Sequence, residues 1–541
     1  MTSVLSIEGV SVALPQGAER PHALEDVSLT LTANEILCVV GESGSGKSMT
    51  ASAIMGLLPD GVRAEAGAIF FEGQDLLELS QDALRAVRGA KIGMIFQEPM
   101  TALNPLKTIG DQIGEMFRTH TNHGRAEIDR RIEALLTEVR IPEPAAAASA
   151  YPHELSGGQR QRAMIAMALA LEPGILIADE PTTALDVTTQ AQILKLIREL
   201  QQRKGTAVLF ITHDFGVVAE IADRVAVMRY GRVVETGTAE EVLSRPNDAY
   251  TKALIAAIPL LVPPEPRPVA AETVMDIADL TKTYRSGSLF NRKRVTHAMK
   301  GVNLALPRGG TLGVVGESGS GKSTLARCIV RLLKPDAGSI KLGDADLAKL
   351  SRREMQKQTR HVQMVFQDPY ASLNPRRRAG DLVAQGPMLH GASRKEALGK
   401  ARELFRLVGL DPEALDRFPH EFSGGQRQRI GLARALALEP EVLIADEPVS
   451  ALDVSVQAQV LRVLADLRIK LGLSMIFITH DLRVAAQICD LIAVMKNGEV
   501  VEHGPAHEIF GRPQHSYTRQ LLASVPGRNW QQPAAPALAS S

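Results

Sequence analysis

One glycine-rich octet occurs twice in this chain, 275 positions apart (322 − 47). Gly41-Glu42-Ser43-Gly44-Ser45-Gly46-Lys47-Ser48 in the first half returns as Gly316-Glu317-Ser318-Gly319-Ser320-Gly321-Lys322-Ser323 in the second. Both copies fit the phosphate-loop pattern G-x-x-x-x-G-K-[ST] without a mismatch. An apolar run leads into each, Ile36-Leu37-Cys38-Val39-Val40 and Thr311-Leu312-Gly313-Val314-Val315. That order predicts a buried strand, a tight turn and a helix starting at the Lys-Ser pair, which is an α/β arrangement. A chain built this way folds as two similar α/β domains in tandem.

The correspondence extends well past the loop, because His213 and His480 are 267 positions apart (480 − 213). Only a few residues separate this offset from the first, and so long a period is domain duplication, not a solenoid. The expected boundaries are 1–257 for the first domain, 258–273 for a linker, 274–525 for the second domain and 526–541 for a disordered tail. Ile258-Pro259-Leu260-Leu261-Val262-Pro263-Pro264-Glu265-Pro266-Arg267-Pro268 cannot continue a helix or a central strand, and reads as a short, stiff, exposed linker. Lys+Arg and Asp+Glu both number 61, so no net field favours a nucleic-acid partner. The basic runs Arg292-Lys293-Arg294 and Arg376-Arg377-Arg378 read as solvated loops. Cys38, Cys328 and Cys489 are isolated and odd in number, which disfavours a disulfide framework or a zinc site and suits a reducing compartment. The start Met1-Thr2-Ser3-Val4 has none of the features of an export signal. No apolar run approaches the roughly 18 to 20 residues that a membrane-spanning helix needs, so any membrane role is expected to run through partners.

Glycines let the loop backbone curl until its N–H groups face phosphate oxygens, and the following helix start adds positive potential. Lys47 and Lys322 then reach the β- and γ-phosphates, while Ser48 and Ser323 offer hydroxyls to Mg²⁺. A second apolar strand ends in acid in both halves, at Asp179-Glu180 and Asp446-Glu447. The first acid suits the Mg²⁺ shell and the second is placed to polarise an attacking water, because two adjacent carboxylates at a buried strand end are costly without a cation. A third strand ends in His213 or His480. A lone histidine is commonly a satisfied core residue, but its recurrence at the same place in both copies favours γ-phosphate contact.

Leu155-Ser156-Gly157-Gly158-Gln159 and Phe422-Ser423-Gly424-Gly425-Gln426 resemble the signature motif of ATP-binding cassette (ABC) proteins. The resemblance covers nearly the whole chain except linker and tail. It implies two cassettes, each a RecA-like core with a helical lobe, paired head-to-tail so that the signature serine and glycines of one cap the nucleotide held by the other. By position it also implies that Gln97 and Gln367 sense Mg²⁺ and water, that Asp186 and Asp453 lie in the loops linking the sites, and that Thr324 joins the second loop's contacts. The helical lobes would run from about Pro99 to Pro152 and from about Pro369 to Pro419. Tyr284 would stack on adenine, whereas the aligned residue of the first domain is Leu14. ATP and Mg²⁺ are the implied cofactors. Both sites are expected to hydrolyse, since Glu180 and Glu447 are both present.

ABC ATPases power membrane transporters, but soluble members act on ribosomes or DNA, and fold alone does not choose. Translation-type members carry a long charged linker and repair-type members carry zinc modules or coiled coils, so the short proline-rich linker and uninterrupted cassettes point to an importer. Gln97-Glu98-Pro99-Met100-Thr101-Ala102-Leu103-Asn104-Pro105 and Gln367-Asp368-Pro369-Tyr370-Ala371-Ser372-Leu373-Asn374-Pro375 resemble the extended glutamine loop of oligopeptide, dipeptide and nickel permeases. Arg245-Pro246-Asn247-Asp248-Ala249-Tyr250-Thr251-Lys252-Ala253-Leu254 and Arg512-Pro513-Gln514-His515-Ser516-Tyr517-Thr518-Arg519-Gln520-Leu521-Leu522 are similar to the sequence that closes their cassettes, and also suit a capped terminal helix. A chain holding both ATPases is similar to fused subunits for microcin C or other peptides and for glutathione, with the former favoured. The implied setting is the cytoplasmic face of a bacterial inner membrane, with transmembrane permease subunits and a periplasmic or extracellular solute-binding protein as partners. The difference between Met100-Thr101-Ala102 and Tyr370-Ala371-Ser372 favours two different permease subunits, and Leu103 and Leu373 are expected on that coupling surface. Neither linker nor tail has a cysteine, so no iron–sulfur cluster is expected.

Overall fold

Ile36–Val40 and Thr311–Val315 are each fully buried strands at the middle of a six-stranded sheet. The structure, a computed structural model, describes residues 3–18, 20–183, 185–286, 294–368, 372–450 and 452–530. Ala184 and Ala451, Pro369-Tyr370-Ala371, Arg292-Lys293 and the tail from Gln531 lie outside the described residues.

In the first unit the large sheet runs Arg232–Thr238, Arg224–Arg229, Ile36–Val40, Ala207–Thr212, Ile175–Asp179, Ile92–Ile95. All neighbours are parallel except the first pair. Strands covered on both faces need apolar residues at every position, which explains the unbroken runs Ile-Leu-Cys-Val-Val and Ile-Leu-Ile-Ala. A second, antiparallel sheet orders His22–Thr32, Ser3–Ala13, Arg63–Phe71 and Gln74–Asp75. The helix Lys47–Ile54 packs between the sheets, and Leu5, Ile7, Val27, Val39, Ile54, Ile177 and Ile211 share one apolar cluster. The second unit repeats both sheets in the same neighbour order around Thr311–Val315.

Helices take over where the chain leaves Ile92–Ile95. Pro99–Ala102, Ile109–His120, Arg125–Glu138 and Pro144–Ser149 form a lobe whose inner faces bury Ile109, Ile113, Phe117, Ile128, Ile132 and Leu136. Thr108 starts the second of these helices, its hydroxyl accepting from Asp111 N (3.1 Å), as capping residues do. The corresponding lobe of the second unit holds Ala379–Leu389 and Arg394–Leu407.

Three expectations need correcting. Leu103 and Leu373 do not lie on the surface; they are 3% and 2% exposed, because each turns inward after the glutamine segment and packs into its helical lobe. Large apolar side chains that stay outside around the first of these segments are Met100 (52% exposed) and Leu106 (85%). The linker is not simply exposed either. Ile258 is buried, and Gln487 Nε2 donates to the carbonyls of Leu260 (2.8 Å) and Val262 (2.9 Å), so unpaired backbone acceptors are satisfied by the second unit. Finally, the described residues Pro526–Trp530 of the supposed tail form turns that group with the first unit. Gly527 N donates to Glu220 (3.4 Å) and Trp530 N to Gly527 O (3.0 Å).

Candidate functional site

Each glycine-rich loop leaves its strand and enters its helix through a residue that only glycine suits. Gly46 has φ 106°, and a Cβ there would stand 3.0 Å from Ala23 O; Gly321 has φ 107°, with Ala298 O at 2.3 Å. The loop therefore curls tightly, and the lysine after it folds back beneath the curl. Lys47 Nζ donates to Gly41 O (2.7 Å) and Glu42 O (2.9 Å). Lys322 Nζ donates to Gly316 O and Glu317 O, both at 2.8 Å. Burial pulls the Lys322 pKa down, against the raising influence of Glu447, Asp446, Asp186 and Glu317. Ser45 Oγ and Ser320 Oγ are buried in the loops without a hydrogen-bond partner, a costly state for a hydroxyl.

The acidic strand ends come to the same place. Ser48 Oγ donates to Asp179 (3.0 Å) and Ser323 Oγ to Asp446 (3.1 Å). Burial pushes the Asp179 carboxyl up to about 6, opposed by Ser48 and assisted by the neighbouring Glu180. Asp446 is raised for the same reason. The adjacent glutamates behave oppositely. Burial works against the charge of Glu180, but hydrogen bonding to His213, the imidazole's charge and Thr183 hold it down at about 2. Glu447 is lowered in the same way against its own burial, chiefly by His480. His213 Nδ1 is 3.2 Å from Glu180 and His480 Nδ1 is 3.2 Å from Glu447. Both imidazoles are raised: their burial disfavours the cation, and the carboxylate partner more than offsets it.

Glu180 and Glu447 have φ 45° and 47°, a left-handed backbone that a glutamate rarely adopts and that marks strain held in place by its surroundings. That conformation turns the side chain off the strand toward the glutamine of the helical lobe. Gln97 Nε2 donates to Glu180 (3.0 Å) and Gln367 Nε2 to Glu447 (2.8 Å). The structure thus brings together, in each unit, the loop lysine and serine, the two acids, the histidine and the glutamine. Gln97 and Gln367 rest on the glutamates, whereas Ser48 and Ser323 rest on the aspartates.

Ser156 and Ser423 cap the helices Gly157–Ala168 and Gly424–Leu436. Each hydroxyl accepts from the amide three residues on, at Gln159 or Gln426 (3.3 Å), and that glutamine accepts the serine's own N–H (2.9 Å). This capping box leaves the amides of Gly157 and Gly158, or Gly424 and Gly425, as first-turn donors without an intrahelical partner. Gly158 and Gly425 also have a packing reason: a Cβ would meet Thr189 at 2.7 Å or Val456 at 2.2 Å. Asp186 accepts from Thr188 (2.8 Å), and Asp453 stands at the N-cap of Val454–Leu471.

The two units differ at the mouth of the loop. Tyr284 is 39% exposed, with its hydroxyl 3.5 Å from Thr324 Oγ1. Leu14 stands at the same point of the first unit, hydrogen-bonded through Leu14 N to Pro21 O (2.8 Å), and leans on the apolar cluster. There the guanidinium of Arg20 donates to the loop carbonyl of Gly44. Sequence reading did not find Arg20, and no spacing pattern marks it. It also missed Thr183, whose hydroxyl donates to Glu180 (2.9 Å). Tyr250 and Tyr517 were read within the repeated closing segments, Pro-x-x-x-Tyr-Thr in each, but with no place at the loop.

Comparison with known proteins bears on the family. The family model "ABC transporter" matches residues 24–183 and 299–450, and "Oligopeptide/dipeptide transporter, C-terminal region" matches 234–294 and 501–539. The chain is similar to the glutathione import ATP-binding protein GsiA of Escherichia coli O157:H7, 47% identical over 97% of this chain and 90% of the relative. It is also similar to the peptidoglycan transport ATP-binding protein YejF of Agrobacterium fabrum, 49% identical over 96% of each. With two complete cassettes, each followed by that C-terminal region, the chain belongs to the ABC transporter family, as a double-cassette ATPase subunit of the peptide-importer kind.

Proposed function

We propose that both cassettes bind ATP with Mg²⁺ and hydrolyse it, and that this powers uptake of short peptides or peptide-like solutes through a membrane permease. The observation that carries the proposal is the doubled constellation in which Lys, Ser and Asp converge below the loop while Gln and His converge on Glu. The loop amides of Gly44 to Ser48 and of Gly319 to Ser323, with Thr324, cradle the phosphates, and Lys47 and Lys322 neutralise them. Glu180 and Glu447, ionised and oriented by histidine and glutamine, hold the attacking water by its proton. His213 and His480, held as donors, face the transferred phosphoryl group.

The residues fit Mg²⁺. A serine hydroxyl and an aspartate form an oxygen donor pair of the sort this hard cation takes beside substrate phosphates, and Asp179 sits buried with an upward-shifted pKa that a nearby cation would reverse. Among the described residues no group of three or more His, Cys, Asp or Glu could hold a metal by itself, consistent with an ion held largely by the nucleotide. When bound, Mg²⁺ would screen the phosphate charge; Ser48, Asp179 and Gln97, or Ser323, Asp446 and Gln367, would hold it.

Among the described residues no helix is long and apolar enough to cross a membrane, so permease contact falls to the cassette surface. We place the chain on the cytoplasmic face of a bacterial inner membrane, with two different permease subunits and an external solute-binding protein. The names of GsiA and YejF support a substrate in the class of glutathione and cell-wall peptides. Neither a nucleic acid nor an iron–sulfur cluster enters this reading: Cys38, Cys328 and Cys489 are core residues whose thiols burial pushes upward, Cys328 to about 11. Uptake of labelled di- to octapeptides and glutathione in cells lacking the gene tests the function; uptake equal to that of the parent strain, or ATPase stimulated by ribosomes or DNA, would overturn it.

The missing aromatic ring gives a measurable asymmetry. In a Lys322→Ala chain, where only the first cassette binds, Leu14→Tyr should tighten ATP by about 2- to 13-fold, the worth of one ring stack. Unchanged affinity would mean that Arg20 or another group already serves the adenine.

A further inference from the structure

The closing segment of each cassette reaches back across the whole domain to the phosphate loop. Tyr250 lies in the first turn of the helix Ala249–Ala256, and its hydroxyl accepts from Glu42 N (3.2 Å) and lies 3.1 Å from the carboxylate Glu42 Oε2, to which it donates. In the second cassette Tyr517 lies in the first turn of Ser516–Ala523, and its hydroxyl accepts from Glu317 N (3.2 Å) and also engages the Glu317 side chain. One phenol thus closes a ring over the backbone and the side chain of the loop's only acid. Neither tyrosine is free to wander. Arg229 lies over the Tyr250 ring at 4.7 Å and Lys496 over the Tyr517 ring at 4.4 Å, a cation–π seating. The turn before each helix is pinned to a strand: Glu235 accepts from Asn247 N (2.6 Å) and Asp248 N (3.3 Å), and Glu502 from Gln514 N (2.6 Å) and His515 N (3.1 Å).

A carboxylate in the second position of a phosphate loop is an electrostatic liability, since a triphosphate brings several negative charges beside it. An unpaired acid there would repel the ligand, and an untethered loop would lose part of its preorganisation. We propose that Tyr250 and Tyr517 are positioning residues for nucleotide binding, which fix the loop backbone at Glu42 and Glu317 and hold those carboxylates away from the phosphates. The role belongs to the oligopeptide/dipeptide C-terminal region, because both tyrosines lie in the segments that match it. Burial pushes the Tyr517 hydroxyl up to about 12, so it stays protonated and able to donate throughout the working pH range.

This inference rests on the reading that the loops hold phosphate, and the test separates the two. In the full chain, Lys47→Ala with Lys322→Ala should abolish ATP binding measured by titration calorimetry. Binding that survives overturns the loop reading and this inference with it. Tyr250→Phe with Tyr517→Phe removes only two oxygen atoms, and should weaken ATP and raise its KM about tenfold, the worth of one hydrogen bond to a charged group. Turnover at saturation and the thermal midpoint should hardly move. In a Glu42→Gln, Glu317→Gln background, where no charge needs restraining, the same phenylalanines should raise KM less than about threefold. Unchanged KM in the phenylalanine pair overturns the proposal. An equal rise in both backgrounds overturns the restraint of the carboxylates, since only the bond to the loop backbone would then matter, and a rise matched by a falling thermal midpoint overturns the positioning role, since it would reduce the tyrosines to fold stability.

Discussion

Glu180→Gln and Glu447→Gln should each lower ATP turnover of the whole chain by on the order of 10² or more, since each removes the carboxylate that orients the attacking water. The side chain keeps its size, and Gln97 or Gln367 and the histidine keep their places, so folding and nucleotide binding should persist. Independent sites would leave about half the turnover in each single variant; that result would overturn a coupled cycle, in which neither cassette turns over without the other. A second measurement locates the cause. With Glu180 neutral, His213 loses the partner that chiefly raises it, and burial, now opposed by Asp214 alone, lowers its pKa. Imidazole titration by NMR should show this fall in Glu180→Gln. A histidine that stayed raised would mean that another group sets its charge.

Met100→Asp with Leu106→Asp should cut peptide uptake by about 30-fold or more, because these are the exposed apolar side chains beside the glutamine segment, and losing an anchor of an interface typically costs about 2 kcal/mol or more. Basal ATPase of the purified chain should remain within about twofold of the parent, since neither residue touches the Lys–Asp–Glu–His cluster. Co-purification with the permease subunits should be lost. Leu103→Asp is the contrasting case: it buries a carboxylate in the helical lobe, so both uptake and ATPase should fall together with the thermal midpoint. Normal uptake in the Met100, Leu106 pair would remove this face from the coupling surface.

Most of the candidate site was readable as text, because each part of it is a local pattern with a local cause. A phosphate loop needs glycine where φ is positive, as at Gly46 and Gly321. A buried parallel strand needs an unbroken apolar run, and a strand end is where Asp179-Glu180 and His213 emerge together. Duplication strengthened every one of these readings, since a pattern that recurs at the same offset is hard to assign to packing alone. The resemblance to ABC proteins rested on the signature segments, and the capping boxes at Ser156 and Ser423 show why serine and glutamine stand three residues apart there.

Tertiary structure decided what periodicity cannot carry. Leu103 and Met100 belong to one short segment of similar composition, yet one is buried and the other exposed, because a turn, with no regular period, sets which way each side chain faces. Tyr250 and Glu42 are 208 positions apart and Tyr517 and Glu317 are 200 apart, so only the folded sheet, which brings the end of each cassette beside that cassette's own loop, creates their contact. The pKa split between Asp179 and Glu180 has the same origin. Two neighbouring carboxylates of like chemistry move in opposite directions because the backbone at Glu180, with φ 45°, aims one at His213 and leaves the other buried beside Ser48.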